Sequence, residues 1–256
     1  MGNVFFHRLH LTVVSNSIIT MYGYTFGGPA TRAVRAIIIA NIAVFFLQII
    51  TGLFAPNLME SYFGLIPFNI NHSFMIWQFM TYMFLHGGVI HILFNMLMLY
   101  MFGNELERLW GAKAFVQYYF ITGIGAGICC WIFGLNTIGA SGAIYGILLA
   151  YGLTYPNRIV YFSFLFPIKV KWMVVIMGAV EFLASIGGSG DGIAHIAHLG
   201  GLLVGFVYLR GRNWQRLYGD FEARRQRERL KQQFEAYYGE MRRKIDEEKK
   251  KGPTIH

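Results

Sequence analysis

Charged residues are scarce in this chain of 256 residues. Asp, Glu, Lys and Arg together make up 14% of it, whereas 55% of the residues are hydrophobic and 17% are aromatic. This balance excludes an ordinary soluble globular domain. The charges are also unevenly placed, since 14 of the 22 basic and 8 of the 13 acidic residues lie from Arg210 onward. The apolar remainder indicates an all-α membrane protein with several spans.

Cysteine is also rare, and no secretion signal is evident. Cys129 and Cys130 are adjacent in an apolar run, without the further Cys or His residues that a metal site would need, so both are predicted to be small buried side chains. The first residues lack the pattern of a signal peptide. The net charge is +9, but no nucleic-acid-binding motif accompanies it. Anionic lipid is therefore the expected partner of the basic residues, with no nucleic acid and no cofactor.

Six apolar stretches have about the length needed to cross a membrane as helices. They are residues 36–54, 89–106, 113–133, 138–155, 171–186 and 192–209. Lys and Arg occur before the first stretch, in alternate connections and after the last, and the other connections have none. Because basic loops face the cytoplasm, both termini are predicted to be cytoplasmic. The chain then divides into a cytoplasmic segment (1–31), a membrane domain (32–210) and a basic tail (211–256).

The connection over residues 54–88 is too apolar for a free loop. We interpret it as short amphipathic helices at the outer interface, where aromatic residues would anchor them. A seventh span is the alternative, but it would invert everything downstream and break the charge pattern.

Four polar residues from three predicted spans lie at a similar depth near the outer surface. Ser141 is expected one turn inside its span, and His198, His91 and Asn95 lie in the first turns of theirs. An imidazole that stays neutral can accept the proton of an attacking serine. His91 and Asn95 share one helix face, and both can donate hydrogen bonds to an oxyanion. The pattern favours nucleophilic catalysis, although each residue alone would also fit helix packing.

The spacing leaves the base open, because His195 and His198 face the same way. Asp191 is too far along the helix from His198 to complete a triad, so a Ser–His dyad is predicted. Glu181 is interpreted as an unpaired carboxylate without an assigned role. Two small-residue faces would let their helices approach closely. They are formed by Gly142 with Gly146 and by Gly201 with Gly205.

Three segments carry a resemblance to a known family: "HGGVIHILFNMLMLYMFGNELERLWG" (86–111), "GASGAIYG" (139–146) and "AHIAHLGGLLVG" (194–205). Together they resemble the rhomboid family of intramembrane serine proteases. The resemblance covers roughly residues 32–210 and implies a six-helix bundle with an amphipathic interfacial loop between its first two helices. It also implies cleavage of transmembrane proteins in or near their membrane segment, without a metal.

The resemblance also assigns roles to individual residues. It makes Ser141 the nucleophile and His198 the base, because Gly201 and Gly205 follow His198 at the family's spacing. His91, Asn95 and the backbone N–H of Ser141 correspond to the oxyanion-binding groups, Tyr145 to the aromatic residue on the catalytic imidazole, and Glu107 to a structural residue after the second span. The supporting glycines are Gly139, Gly142, Gly201 and Gly205.

Two other functions compete with the serine protease. One is a metal transporter or metalloprotease that uses His86, His91, His195 and His198, but the chain has no H-E-x-x-H motif and no acid other than Asp191 is expected near these histidines. The other is a non-catalytic member of the family that binds membrane helices.

The basic tail has apolar residues at helical spacing. They are Leu217, Tyr218, Phe221, Leu230, Phe234, Tyr237, Met241 and Ile245. This spacing predicts a helix that lies on the anionic inner leaflet or pairs with another copy, with a solvated charged helix as the alternative. A bacterial plasma membrane is the expected location.

Overall fold

The protein is described by a computed structural model over residues 29–162, 166–186, 192–211, 230–231, 233–243 and 245–246. In chain order, the helices before residue 212 are α1 (Arg32–Phe54), α2 (Leu58–Phe63), α3 (Pro67–Ser73), α4 (Gln78–Thr81), α5 (Val89–Trp110), α6 (Ala112–Ile132), α7 (Ser141–Thr154), α8 (Val170–Ile186) and α9 (Gly192–Gly211). The six longer helices lie at the six predicted positions. The bundle is therefore all-α, as predicted.

Within the described residues, three helices combine the length and the apolar composition needed to cross a membrane. They are α1, α5 and α6, and α7 is a shorter apolar helix. Large apolar side chains on the outside of the bundle, such as Leu53 on α1 and Leu183 on α8, are more than half exposed. An apolar exterior of this kind suits a bundle that is surrounded by lipid. Six spans remain a prediction.

The connection after α1 contains the short helices α2, α3 and α4, in line with the predicted local structure. It is tied to the segment before α7 by paired backbone hydrogen bonds between Leu65 and Thr137, at 3.0 and 2.9 Å. Gln78 is fully buried and accepts a hydrogen bond from the backbone N–H of Ile66 at 3.0 Å. The Leu65–Thr137 pair ties the connection to the segment before α7, and the Ile66–Gln78 bond stabilises the connection internally. Its place at the membrane interface remains a prediction.

A two-stranded antiparallel sheet between α7 and α8 was not predicted. It consists of β1 (Ile159–Phe162) and β2 (Phe166–Lys169), and Ile159 pairs with Lys169. Our sequence reasoning treated this segment only as a connection between spans.

The predicted helix in the tail is present where the structure describes that region. Residues 230–231, 233–243 and 245–246 are helical, and the side chains of Leu230, Phe234, Tyr237, Met241 and Ile245 are exposed. Leu217, Tyr218 and Phe221 lie outside the described residues. What covers the apolar face of this helix remains a prediction.

Glu107 is near the end of α5, and its side chain caps the start of α1. Its carboxylate accepts hydrogen bonds from the backbone N–H groups of Ala33 at 3.0 Å and Val34 at 2.8 Å, and from the Thr31 hydroxyl. The first N–H groups of a helix have no partner within it, and a carboxylate there also complements the helix dipole. Glu107 therefore links the end of α5 to the start of α1.

Candidate active site

A cavity of about 1290 Å³ lies among α5, α7 and α9. Residues on its wall include six from the sequence analysis: His91, Asn95, Ser141, Tyr145, His195 and His198. The polar residues of three separate sequence segments thus line one space.

Ser141 is the first residue of α7, whereas the predicted span begins at residue 138. The chain before it is non-helical because Gly139 has φ of +120°, a conformation that favours glycine. The N–H of Gly139 donates instead to the carbonyl of Tyr82, at 2.8 Å. Ser141 therefore contributes a backbone N–H that has no partner within the helix, in addition to its hydroxyl.

The glycine faces of α7 and α9 are in backbone contact. A Cβ on Gly201 would lie 1.9 Å from the carbonyl oxygen of Gly142, and one on Gly205 would lie 3.4 Å from the Cα of Gly146. A side chain at either glycine would push the two backbones apart. This close approach brings the helix of Ser141 beside the helix of His198.

His91 lies against Gly139, next to Ser141. A Cβ on Gly139 would be 2.9 Å from Nε2 of His91. The other ring nitrogen, Nδ1, accepts a hydrogen bond from the backbone N–H of Gly87, at 3.3 Å. A neutral imidazole carries one proton, so the proton of His91 is on Nε2. His91 therefore presents an N–H donor towards the residues that precede α7.

Asn95 is buried, and its Nδ2 atom has no hydrogen-bond partner in the described structure. Buried amide groups almost always have a partner, so an unpaired one beside a cavity is available to a ligand. Asn95 lies one turn after His91 on α5, and both line the cavity. Two side-chain donors thus share one wall.

His198 is covered by Tyr145. The two rings are stacked, with centroids 4.1 Å apart and an angle of 11° between their planes. The stacking fixes the plane of the imidazole. Ser141 and His198 line the same cavity, but among the described residues no hydrogen bond joins them. Such contacts often form only in the substrate complex.

Glu181 is a residue of this candidate site to which the sequence pattern assigns no role. Its buried carboxylate accepts a hydrogen bond from the Tyr145 hydroxyl and lies 2.5 Å from Nδ1 of His195 and 3.0 Å from Nδ1 of His198. The expectations that Glu181 is unpaired, and that no acid other than Asp191 lies near these histidines, are therefore wrong. Helices α8 and α9 pack side by side, so a residue far away in sequence faces the histidine pair. An ionisable residue in an apolar span is costly, and this cost was the available signal.

The four histidines of the metal-site alternative do not form one group in the described residues. The ring of His86 packs against that of His91 with centroids 5.1 Å apart. The group that brings three metal-ligand atoms within 4.8 Å of one another consists of Glu181, His195 and His198. Asp191 lies outside the described residues.

Comparison with known proteins identifies the class. The family model described as the rhomboid domain matches residues 73–212, which is more than half of the chain. The chain belongs to the rhomboid family and is an integral membrane protein.

Individual relatives agree with this family. The chain is 26% identical over 191 residues to the rhomboid protease GlpG of Yersinia pseudotuberculosis serotype I, covering 70% of this chain and 61% of the relative. It is 27% identical over 192 residues to GlpG of Yersinia pestis strain Pestoides F, with the same coverage. It is also 31% identical over 148 residues to RHOMBOID-like protein 1 of Arabidopsis thaliana, covering 54% of this chain and 36% of the relative. The chain thus spans less than two thirds of the length of these relatives.

Proposed function

We propose that this protein is a serine endopeptidase that cleaves transmembrane proteins in or near their membrane segment, with Ser141 as nucleophile and His198 as base. The observation that carries the proposal is a single cavity lined by Ser141, His198, His91 and Asn95. The backbone contact between α7 and α9 brings the helices of Ser141 and His198 together beside it. The two GlpG relatives are named rhomboid proteases, which supports the same activity.

The reaction has two steps. His198 accepts the proton of Ser141 while Oγ attacks the scissile carbonyl carbon, and it then gives that proton to the leaving amine as the C–N bond breaks. The product of this step is an ester on Ser141. Water, deprotonated by His198, attacks the ester, and the proton returns to Ser141 when the acid product leaves. No metal or cofactor takes part.

Three hydrogen-bond donors suit the oxyanion that forms during each attack. They are Nε2–H of His91, the unpaired Nδ2 of Asn95 and the backbone N–H of Ser141. Donors that are already in place cost no reorganisation during the reaction, and one of them typically contributes about 3 kcal/mol.

Tyr145 and Glu181 are proposed to position the base. The stacked ring of Tyr145 sets the plane of the His198 imidazole, and the carboxylate beside Nδ1 favours the form that carries its proton there. Nε2 is then free to accept the proton of Ser141. The reaction itself remains that of a dyad, with Glu181 acting through His198.

The setting of the reaction follows from the charge pattern. Both termini are proposed to be cytoplasmic and the membrane to be a bacterial plasma membrane. Substrates are proposed to unwind at helix-breaking residues, because a helical peptide bond is shielded from attack. The basic tail would contact anionic lipid.

A fluorophosphonate probe and a reporter transmembrane substrate test this function. In metal-free buffer with chelator, the purified protein should react with the probe and cleave the substrate, and Ser141→Ala should abolish both. Cleavage that survives Ser141→Ala, or that needs a metal, would contradict the proposal. Binding of the substrate without cleavage would indicate the non-catalytic alternative.

Separate replacement of the two histidines tests the base. His198→Ala should abolish cleavage, whereas His195→Asn should preserve it. The opposite result would make His195 the base.

A further inference from the structure

Glu181, His195 and His198 form a compact group at the junction of α8 and α9. The carboxylate lies between the two imidazoles, 2.5 Å from Nδ1 of His195 and 3.0 Å from Nδ1 of His198. The three side chains are 10%, 20% and 15% exposed, so they are mostly buried but not sealed off. Both histidines also line the cavity, which provides an access route.

The chemistry of this group is that of a transition-metal site. Two imidazoles and one carboxylate, with a position left open, are a common ligand set for Zn²⁺. Zinc–ligand distances of about 2.0–2.1 Å place the ligand atoms of a tetrahedral site roughly 3.4 Å apart. The ligand atoms here lie within 4.8 Å of one another, so small side-chain movements would suffice.

The hydrogen bonds of the group are incomplete. Nδ1 of His198 is buried and has no hydrogen-bond partner in the described residues, because its contact with Glu181 is close but poorly aligned. Exchange of the Nδ1 proton for a cation would therefore break no hydrogen bond of good geometry at His198.

We propose that a divalent cation of the zinc type binds to Glu181, His195 and His198 and reversibly inhibits the protease. The regulatory part rests on the proposed function, since it requires His198 to be the base. The site differs from a catalytic metal centre because its occupation stops the reaction.

Inhibition follows from the proton on His198. A metal binds an imidazole nitrogen through its lone pair, so Nδ1 must give up its proton when it binds the cation. The one proton of the neutral ring is then on Nε2. Nε2–H has no lone pair with which to accept the proton of Ser141, and the first step of the reaction cannot begin. Removal of the cation lets the proton return to Nδ1, which restores the base.

His195 allows binding to be separated from catalysis, because it is a ligand in this proposal but not the base. His195→Asn keeps a side-chain N–H donor for Glu181 while it removes the metal-binding nitrogen. His72→Asn is the matched control, since His72 is exposed on α3 and its ring contacts the carbonyl of Phe68. In metal-free buffer, His72→Asn should cleave substrate as the wild type does, and the inhibition of His195→Asn by Zn²⁺ is expressed relative to its own metal-free rate.

Binding is measured without reference to activity. Co²⁺ is titrated into Ser141→Ala protein in detergent, and the visible absorption of four-coordinate Co²⁺ is followed, with Zn²⁺ as competitor. The absorption should appear and should be displaced by Zn²⁺. Adding His195→Asn or Glu181→Gln should weaken binding at least 10-fold. Loss of a residue that only supports a metal ligand already costs about 10-fold to 100-fold in metal affinity, and these changes remove the ligands themselves. An affinity for Co²⁺ that stays the same in both variants would show that the metal does not bind at this site.

Inhibition is measured on the active protein. Zn²⁺ should lower the cleavage rate of the wild type and of His72→Asn at least 10-fold, and His195→Asn should need at least 10-fold more Zn²⁺ for the same effect. Equal inhibition of all three proteins, or unchanged cleavage with Zn²⁺ bound, would overturn the regulatory proposal. If the wild type never cleaves in metal-free buffer but binds Co²⁺ as expected, the protease assignment fails and the metal site stands.

Discussion

The ring of Tyr145 stacks on the imidazole of His198, and its hydroxyl donates a hydrogen bond to Glu181, which itself lies 3.0 Å from that imidazole. One side chain thus contacts both the proposed base and the carboxylate beside it. Its ring and its hydroxyl can be removed separately, which makes its two contacts testable.

Tyr145→Phe keeps the stacked ring and removes the hydrogen bond to Glu181, whereas Tyr145→Ala removes both. Stacking contributes about 0.5–1.5 kcal/mol, so Tyr145→Ala should lower kcat about 2-fold to 10-fold more than Tyr145→Phe does. The measurement is kcat on a transmembrane reporter in detergent, with probe labelling as a second readout. Equal losses in both variants would show that the hydroxyl, and not the ring, matters.

Asn95→Ala removes a donor that has no partner within the described protein. If Nδ2 binds the oxyanion, kcat should fall about 100-fold to 1000-fold while KM changes little. Asn71→Ala is the control, because Asn71 is exposed and accepts a hydrogen bond from Trp131 at 2.9 Å, away from the cavity wall. A rise in KM with unchanged kcat would assign Asn95 to substrate binding instead.

Gly201→Ala tests the contact between α7 and α9. The added methyl group would lie 1.9 Å from the carbonyl oxygen of Gly142, so the helices must separate, and overpacking of this kind typically costs about 1–3 kcal/mol. The melting temperature in detergent should fall and cleavage should be lost. Gly211→Ala on the same helix is the control, because nothing lies within 4 Å of its added Cβ, and it should behave as the wild type does. An unchanged melting temperature for Gly201→Ala would contradict the packing.

His86 lies in the loop before α5 and should make stability depend on pH. Burial, and then the neighbouring His91, lowers the pKa of His86 to about 4. Below the unfolded pKa of about 6.5, the unfolded chain binds a proton that the folded protein does not, so stability should fall as the pH drops towards 4. The full loss is roughly 3 kcal/mol.

The measurement is the melting temperature of wild type and His86→Gln between pH 7 and pH 4. The variant has no imidazole to protonate at this position, so its melting temperature should fall less steeply with pH. Parallel curves for the two proteins would show that other groups cause the dependence.

Much of the fold could be predicted because lipid imposes strong constraints on sequence. The apolar stretches coincide closely with the long helices, and the glycine spacing on α7 and α9 anticipates their backbone contact. The start of α7 was misjudged, since hydropathy continues through residues 138–140, whereas the helix begins only after the positive φ of Gly139. The short sheet formed by β1 and β2 was not predicted, because the sequence pattern indicates only a connection between spans over these residues.

Helix length, glycine spacing and the segments around Ser141, His198 and His91 each depend on local pattern, so the family of this protein could be predicted from its sequence. The tertiary structure decided what surrounds His198. Glu181 is on a different helix and 17 residues before that histidine, and no periodicity relates the two. Only the packing of α8 against α9 brings its carboxylate between two imidazoles. Side-chain contacts between helices depend on the rotation of each helix about its axis, which a single sequence does not encode in any local pattern.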